Sequence, residues 1–161
     1  MKKISALMLT LALSLSVFSG CGEEEVDNEA LNAYKTQMDS FFTELSDIDE
    51  EINGIDPEST ESIDALFEEF DKLEVKFAEL AAMEVPTDLV YYESIESLSD
   101  EASDYMVQAN EYLHESFSDT SYNEYTLEAS LECYNRANKR IQYIISLIHG
   151  ELPQDDNITY N

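Results

Sequence analysis

Glycine and proline are nearly absent from this chain, with four and three among its 161 residues. So little glycine argues against a fold of many tight turns, and no run reads as a β-strand. Positive charge is almost as scarce. Eight Lys and Arg stand against 36 Asp and Glu, and beyond residue 21 only Lys35, Lys72, Lys76, Arg136, Lys139 and Arg140 remain. All the acidic residues lie beyond residue 21, so that part of the chain carries a net charge of about −30. Affinity for nucleic acid rests on Lys and Arg meeting phosphates, which excludes nucleic acid as a partner. Anionic lipid headgroups are repelled as well. A cationic partner is permitted by the same field. There is no glycine-rich phosphate loop, no nucleophile elbow and no Cys-x-x-Cys pair. Carboxylates are so abundant that no two stand out as a general acid and base. The chain is therefore read as a non-enzyme without a cofactor.

What is present begins with Met1-Lys2-Lys3, followed by an uncharged run from Ile4 to Phe18 rich in Leu, Ala, Met and Ser. A basic start and an apolar run of this length have the form of a secretion signal, too short for a comfortable transmembrane helix. The run ends Val17-Phe18-Ser19-Gly20-Cys21-Gly22, with Phe18 where Leu is usual. Small residues before a Cys resemble the lipobox of bacterial lipoproteins. The resemblance implies removal of residues 1–20 and a diacylglyceryl group on the Cys21 thiol. Two acyl chains anchor a protein stably where one gives only marginal binding. The expected location is the extracytoplasmic face of the cell membrane, with the lipid anchor as the only membrane contact. Residues 21–27, including Glu23-Glu24-Glu25, would form an acidic tether. With Cys21 so used, Cys133 is the one remaining Cys and no intramolecular disulfide can form.

After the tether the apolar pattern is helical. Leu31, Tyr34, Met38, Phe41, Leu45, Ile48 and Ile52 step by three and four, which draws one stripe along one helix face. Asn53-Gly54 stops it, and Asp56-Pro57 is expected to start the next helix as N-cap and first residue. The second stripe is Ile63, Leu66, Phe70, Leu73, Phe77 and Leu80, ending before Pro86. A third runs through Tyr91, Ile95, Leu98, Ala102, Tyr105, Ala109 and Tyr112, until Asp119-Thr120-Ser121 breaks it. The fourth is broader: Leu127, Leu131, Tyr134, Ala137, Ile141, Ile144, Ile145 and Ile148, ended by Gly150 and Pro153. Four amphipathic segments with short links predict an all-α, up-down-up-down four-helix bundle over residues 28–150, with a loose tail over 151–161. A long three-helix arrangement, or a bundle completed by a second copy, are the alternatives.

Candidate chemistry is thin. Asp49-Glu50-Glu51-Ile52-Asn53-Gly54 has the first half of a calcium-binding EF-hand loop, with Asp49, Glu51 and Asn53 at the first three ligand positions. The second half fails, since Asp56 stands where an apolar residue is usual and Thr60 where a bidentate Glu is needed. A plain helix–turn–helix fits better. Glu111 and His114 have the Glu-x-x-His spacing of di-iron bundles, but those sites need two such motifs and two further Glu. His114 is therefore expected on the surface. Cys133 has no His close in sequence to activate it and reads as a small, partly buried hydrophobe. Arg136, Lys139 and Arg140 hold half the positive charge beyond residue 21. Glu132 four residues before Arg136 suggests helix-surface pairing rather than an anion clamp. Tyr91, Tyr92, Tyr105, Tyr112, Tyr122, Tyr125, Tyr134 and Tyr143 crowd the second half, as core packing or as a contact surface.

Leu80-Ala81-Ala82-Met83-Glu84-Val85-Pro86, followed by a long Tyr- and Glu-rich helix, resembles small helical lipoproteins of Gram-positive bacteria. That resemblance implies class and location and carries over no functional residue. Two functions fit. One is an anchored scaffold that presents a helical face to another envelope protein or polymer, which requires exposed apolar or Tyr-rich surface on the third and fourth helices. The other is a cation or small-ligand binder using the acidic surface or a Tyr-lined cavity.

Overall fold

A computed structural model describes residues 29–56, 59–117 and 122–153. The signal segment, Cys21, the tether, Pro57, the Asp119-Thr120-Ser121 break and the tail beyond residue 153 lie outside the described residues. Four helices form the fold: α1 (Glu29–Gly54), α2 (Ser62–Ala81), α3 (Tyr92–Ser116) and α4 (Glu124–Ile148). Consecutive helices pack side by side as a four-helix bundle, and α3 with α4 most closely. The fold class read from the four stripes is the fold observed.

Side-chain size explains the uneven spacing. α1 turns only large residues inward, among them Tyr34, Met38, Phe41, Phe42 and Leu45. No Cα of α1 comes within 8 Å of one in α4. At their interface α3 and α4 instead bury Ser99, Ala102, Ala109, Ser130 and Ala137, small enough to let two backbones approach. The Ser130 hydroxyl donates across the gap to the Ala109 carbonyl at 2.6 Å.

Two sequence expectations need correction. α2 begins at Ser62, five residues after Pro57. The Asp56 carbonyl accepts the Ser59 N–H at 3.0 Å, and the Ser59 hydroxyl accepts the Glu61 N–H at 3.2 Å. Those turn bonds use the polar run before the helix, so Asp56 caps a turn rather than α2. On α3 the buried face passes through Ile95, Leu98, Ala102, Met106, Ala109, Asn110 and Leu113. Tyr105 is only half-buried, and Tyr112 is 36 % exposed. The phenolic residues sit on the flanks of the face, where a ring packs and a hydroxyl reaches water.

Several buried polar groups are poorly served. Asp49 Oδ1 and Glu69 Oε2 have no hydrogen-bond partner, although Glu69 Oε1 accepts from Lys72 at 2.7 Å. Burial raises both carboxyls above their usual range; the Glu50 charge adds to this at Asp49, while Lys72 opposes it at Glu69. A native value above the unfolded one means that the native state binds more protons. The stability involved is complete below the unfolded value and is lost as pH rises through the raised native value. Glu44 and Glu51, held low by Lys76 and Lys72, act in the opposite sense, but they are open to solvent and screened. Acidification from pH 8 to 5 also relieves the general self-repulsion. Thermal unfolding at matched ionic strength should therefore give a Tm a few degrees higher at pH 5 than at pH 8. Asp49→Asn should reduce that difference. A Tm that falls on acidification would contradict the assignment.

Candidate functional site

The six Lys and Arg of the described residues are unevenly placed. On α2, Lys72 and Lys76 turn toward α1. Lys72 meets Glu51 at 3.2 Å and Glu69 at 2.7 Å, while Lys76 meets Glu44 and Glu79. On α4, Arg136 pairs with Glu132 and Arg140 reaches Glu101 of α3 at 2.9 Å. Both guanidinium groups cover the Tyr105 ring, at 5.7 and 5.0 Å from its centre, and Lys139 lies over Tyr143 at 5.4 Å. The basic cluster on α4 thus zips α3 to α4 and forms no open anion clamp.

α3 contains no Lys or Arg, and the outer seam between α2 and α3 is built differently. The Asn110 amide nitrogen donates to Asp71 Oδ1 at 2.8 Å and to Glu74 Oε2 at 2.7 Å. One neutral amide therefore holds two carboxylates side by side. Asn110 is itself 93 % buried, being 7 % exposed. One turn further on, His114 Nε2 stands 3.3 Å from Asp71 Oδ1. The face of the His114 ring lies against Phe67, with centres 4.1 Å apart and planes 26° apart. Phe67 meets the edge of Phe117 at 6.0 Å, and Phe117 meets Tyr122 at 5.4 Å. An unbroken row of rings runs from the α2–α3 seam to the start of α4.

This row lies at the end of the bundle opposite the start of α1. Its outer member Tyr122 is 48 % exposed, and Tyr125, three residues on in the first turn of α4, is 84 % exposed. The Asn123 side chain caps α4 by accepting the Tyr125 N–H at 3.1 Å, which fixes the backbone carrying both tyrosines. Asp71, which meets His114, is an exposed carboxylate, as are Glu111 and Glu115 in the last turns of α3 and Glu124 at the start of α4.

The residues singled out from sequence are scattered. Asp49, Glu51 and Asn53 belong to α1, and the Asn53 amide donates back to the Asp49 carbonyl at 2.8 Å. Backbone bonding of this kind keeps them on a helix instead of around a loop. Glu111 and His114 are both exposed on α3, and His114 turns to Asp71 of α2. Among the described residues, no three His, Cys, Asp or Glu gather as a metal ion requires. Cys133 is buried and free, and burial pushes its thiol up, away from the reactive thiolate. A cleft of about 480 Å³ opens beside the start of α1, lined by Ala30, Tyr34, Gln37, Glu79, Met83 and Pro86 among others. The Tyr34 hydroxyl is buried without a partner, yet it is closed off from solvent and so does not face the cleft.

Phe67, Asp71, Glu74, Asn110 and Phe117 belong to this region without being marked out by the sequence. Phe67 and Asp71 are four apart on α2, as are Asn110 and His114 on α3, so each pair shares a face. In so acidic a chain that spacing does not stand out. Compared with protein-family models, with curated proteins and with solved structures, the chain matches none of them.

Proposed function

We propose that this protein is a non-catalytic interaction module of the cell envelope, anchored through lipid on Cys21 and presenting the aromatic end of its bundle to another envelope protein or polymer. The row of rings that ends in the exposed Tyr122, with the exposed Tyr125 three residues on, carries this reading, because monomeric surfaces seldom gather rings in water without use for them. Its position supports the same reading. Seven residues separate Cys21 from α1, and the eight chain steps between Cys21 and Glu29 span at most about 28 Å. The 26 residues of α1 span about 39 Å. A tether shorter than the bundle keeps the start of α1 nearer the bilayer and the aromatic end away from it. Among the described residues no helix is long and apolar enough to cross a membrane.

Two measurements test the proposal. Cys21→Ser should move the protein from the membrane fraction to the soluble fraction. A photoreactive residue at position 125 should capture a partner on intact cells, whereas one at Asp47 on the exposed face of α1 should not. Tyr122→Ala should abolish that capture. Equal capture from positions 47 and 125 would remove the aromatic end from consideration.

A further inference from the structure

We infer that the partner is a protein whose contact segment is rich in Lys and Arg, and that this segment lies along the α2–α3 seam over Asp71, Glu74, His114 and Phe117. The inference rests on the interaction reading above and supplies the partner's chemistry. Its basis is the contrast between the seams. The α1–α2 and α3–α4 seams each carry their own cations, Lys72 and Lys76 in one and Arg136 and Arg140 in the other. At the α2–α3 seam a neutral amide bridges the two carboxylates and neutralises neither, and the one group there able to carry positive charge is His114, which faces Asp71 and is cationic only when protonated. Asp71 and Glu74 therefore keep two adjacent negative charges in fixed positions, without the cost of ordering two mobile side chains. Asp71 is exposed and Glu74 half-buried, so both charges are open to an incoming cation.

The rings beside them suit the same ligand. A Lys or Arg side chain reaching for Asp71 passes the row formed by Phe67, His114 and Phe117, and aromatic faces attract such cations. Apolar rings also receive the methylene stems that these side chains carry. A bare metal ion is less well served: the described residues gather no group of three metal-binding side chains, and the rings offer no ligand oxygen. A segment with basic residues three or four apart matches the spacing from Asp71 to Glu74 in a way that a single ion does not.

The probe is a ten-residue peptide with lysine at every third position and glycine between, titrated against the full chain at two salt concentrations. Saturable binding that weakens with salt is expected. Asp71→Asn with Glu74→Gln should weaken it about tenfold, which is 1.4 kcal/mol shared between two partly exposed ion pairs. Both replacements keep an oxygen for the Asn110 amide, so the seam stays closed. Asp39→Asn with Asp47→Asn removes the same charge from the exposed face of α1 and should change affinity less than twofold. Phe117→Leu, which keeps bulk and removes the ring, should weaken binding about threefold. Equal losses from the two double variants would show that the peptide reads net charge alone, and the seam assignment would be wrong. Absence of saturable binding would overturn it as well. Sequencing the peptide captured from position 125 separates the two levels. A neutral or acidic contact segment leaves the interaction module standing and sinks this inference. Lysine-peptide binding without any capture on cells sinks the interaction module.

Discussion

Ala109→Leu should destabilise the bundle by about 3 kcal/mol, a large share of what a domain this size has to lose. Ala109 is fully buried at the α3–α4 interface, where its carbonyl accepts the Ser130 hydroxyl at 2.6 Å. A leucine side chain there has to push α4 away, and overpacking of this kind costs about 1–3 kcal/mol. The same displacement stretches the Ser130 bond and leaves a buried hydroxyl unmet, adding about 1 kcal/mol. Ser130→Ala tests the second contribution alone and should cost about 1 kcal/mol. Ala78→Leu on the exposed face of α2 is the control and should stay within about 0.5 kcal/mol of the parent. The measurement is urea unfolding followed by circular dichroism, with the midpoint as readout. If Ala109→Leu unfolds at the parent's midpoint, the close α3–α4 packing is not the arrangement in solution.

The stripes on α1 and α2 gave their buried faces almost completely, because both helices fill the interior with large apolar residues. On α3 the buried face includes Ser94, Ser99, Asn110 and Ser116, which hydrophobic periodicity does not score. Tyr105 and Tyr112 looked like the continuation of the stripe, since a tyrosine has an apolar ring. Their hydroxyls hold them at the edge, and Met106 and Leu113 take the interior. Rotating the face by about 100° per residue, as a helix requires, carries Asn110 to the seam with α2 and leaves His114 exposed beside it. Asp71, Glu74, Asn110 and His114 meet only once that rotation is known. Neither helix's sequence contains the pairing by itself. His114 was expected on the surface and is there, although the expectation assumed that Tyr112 faced inward. Of the tyrosines, Tyr122 and Tyr125 are the exposed ones beside Phe117 and the start of α4, and Phe67 of α2 joins the row of rings unforeseen.

Phe77→Ala should cost about 4 kcal/mol, the largest loss expected from any single truncation here. Phe77 has no exposed surface, and its ring meets Phe41 at 6.1 Å with planes 79° apart. Phe41 in turn meets Phe42 edge-on at 5.4 Å, so removing one ring deprives a chain of aromatic contacts that joins α1 to α2. Phe77 lies within one continuous core of buried side chains drawn from all four helices, so the void it leaves has little room to collapse. A cavity that cannot collapse carries the higher end of the truncation cost. The comparison that gives this number meaning is Tyr125→Ala, at the other kind of aromatic position. Its ring is 84 % exposed, and its loss should change stability by less than about 0.5 kcal/mol. Measured together, the two variants ask whether this chain keeps its rings for two purposes. If Tyr125→Ala proves nearly as damaging as Phe77→Ala, the exposed row belongs to the fold and an interaction surface no longer explains it. If only Phe77→Ala is damaging, the rings at the α3–α4 junction are spared from structural duty, and their exposure calls for a partner.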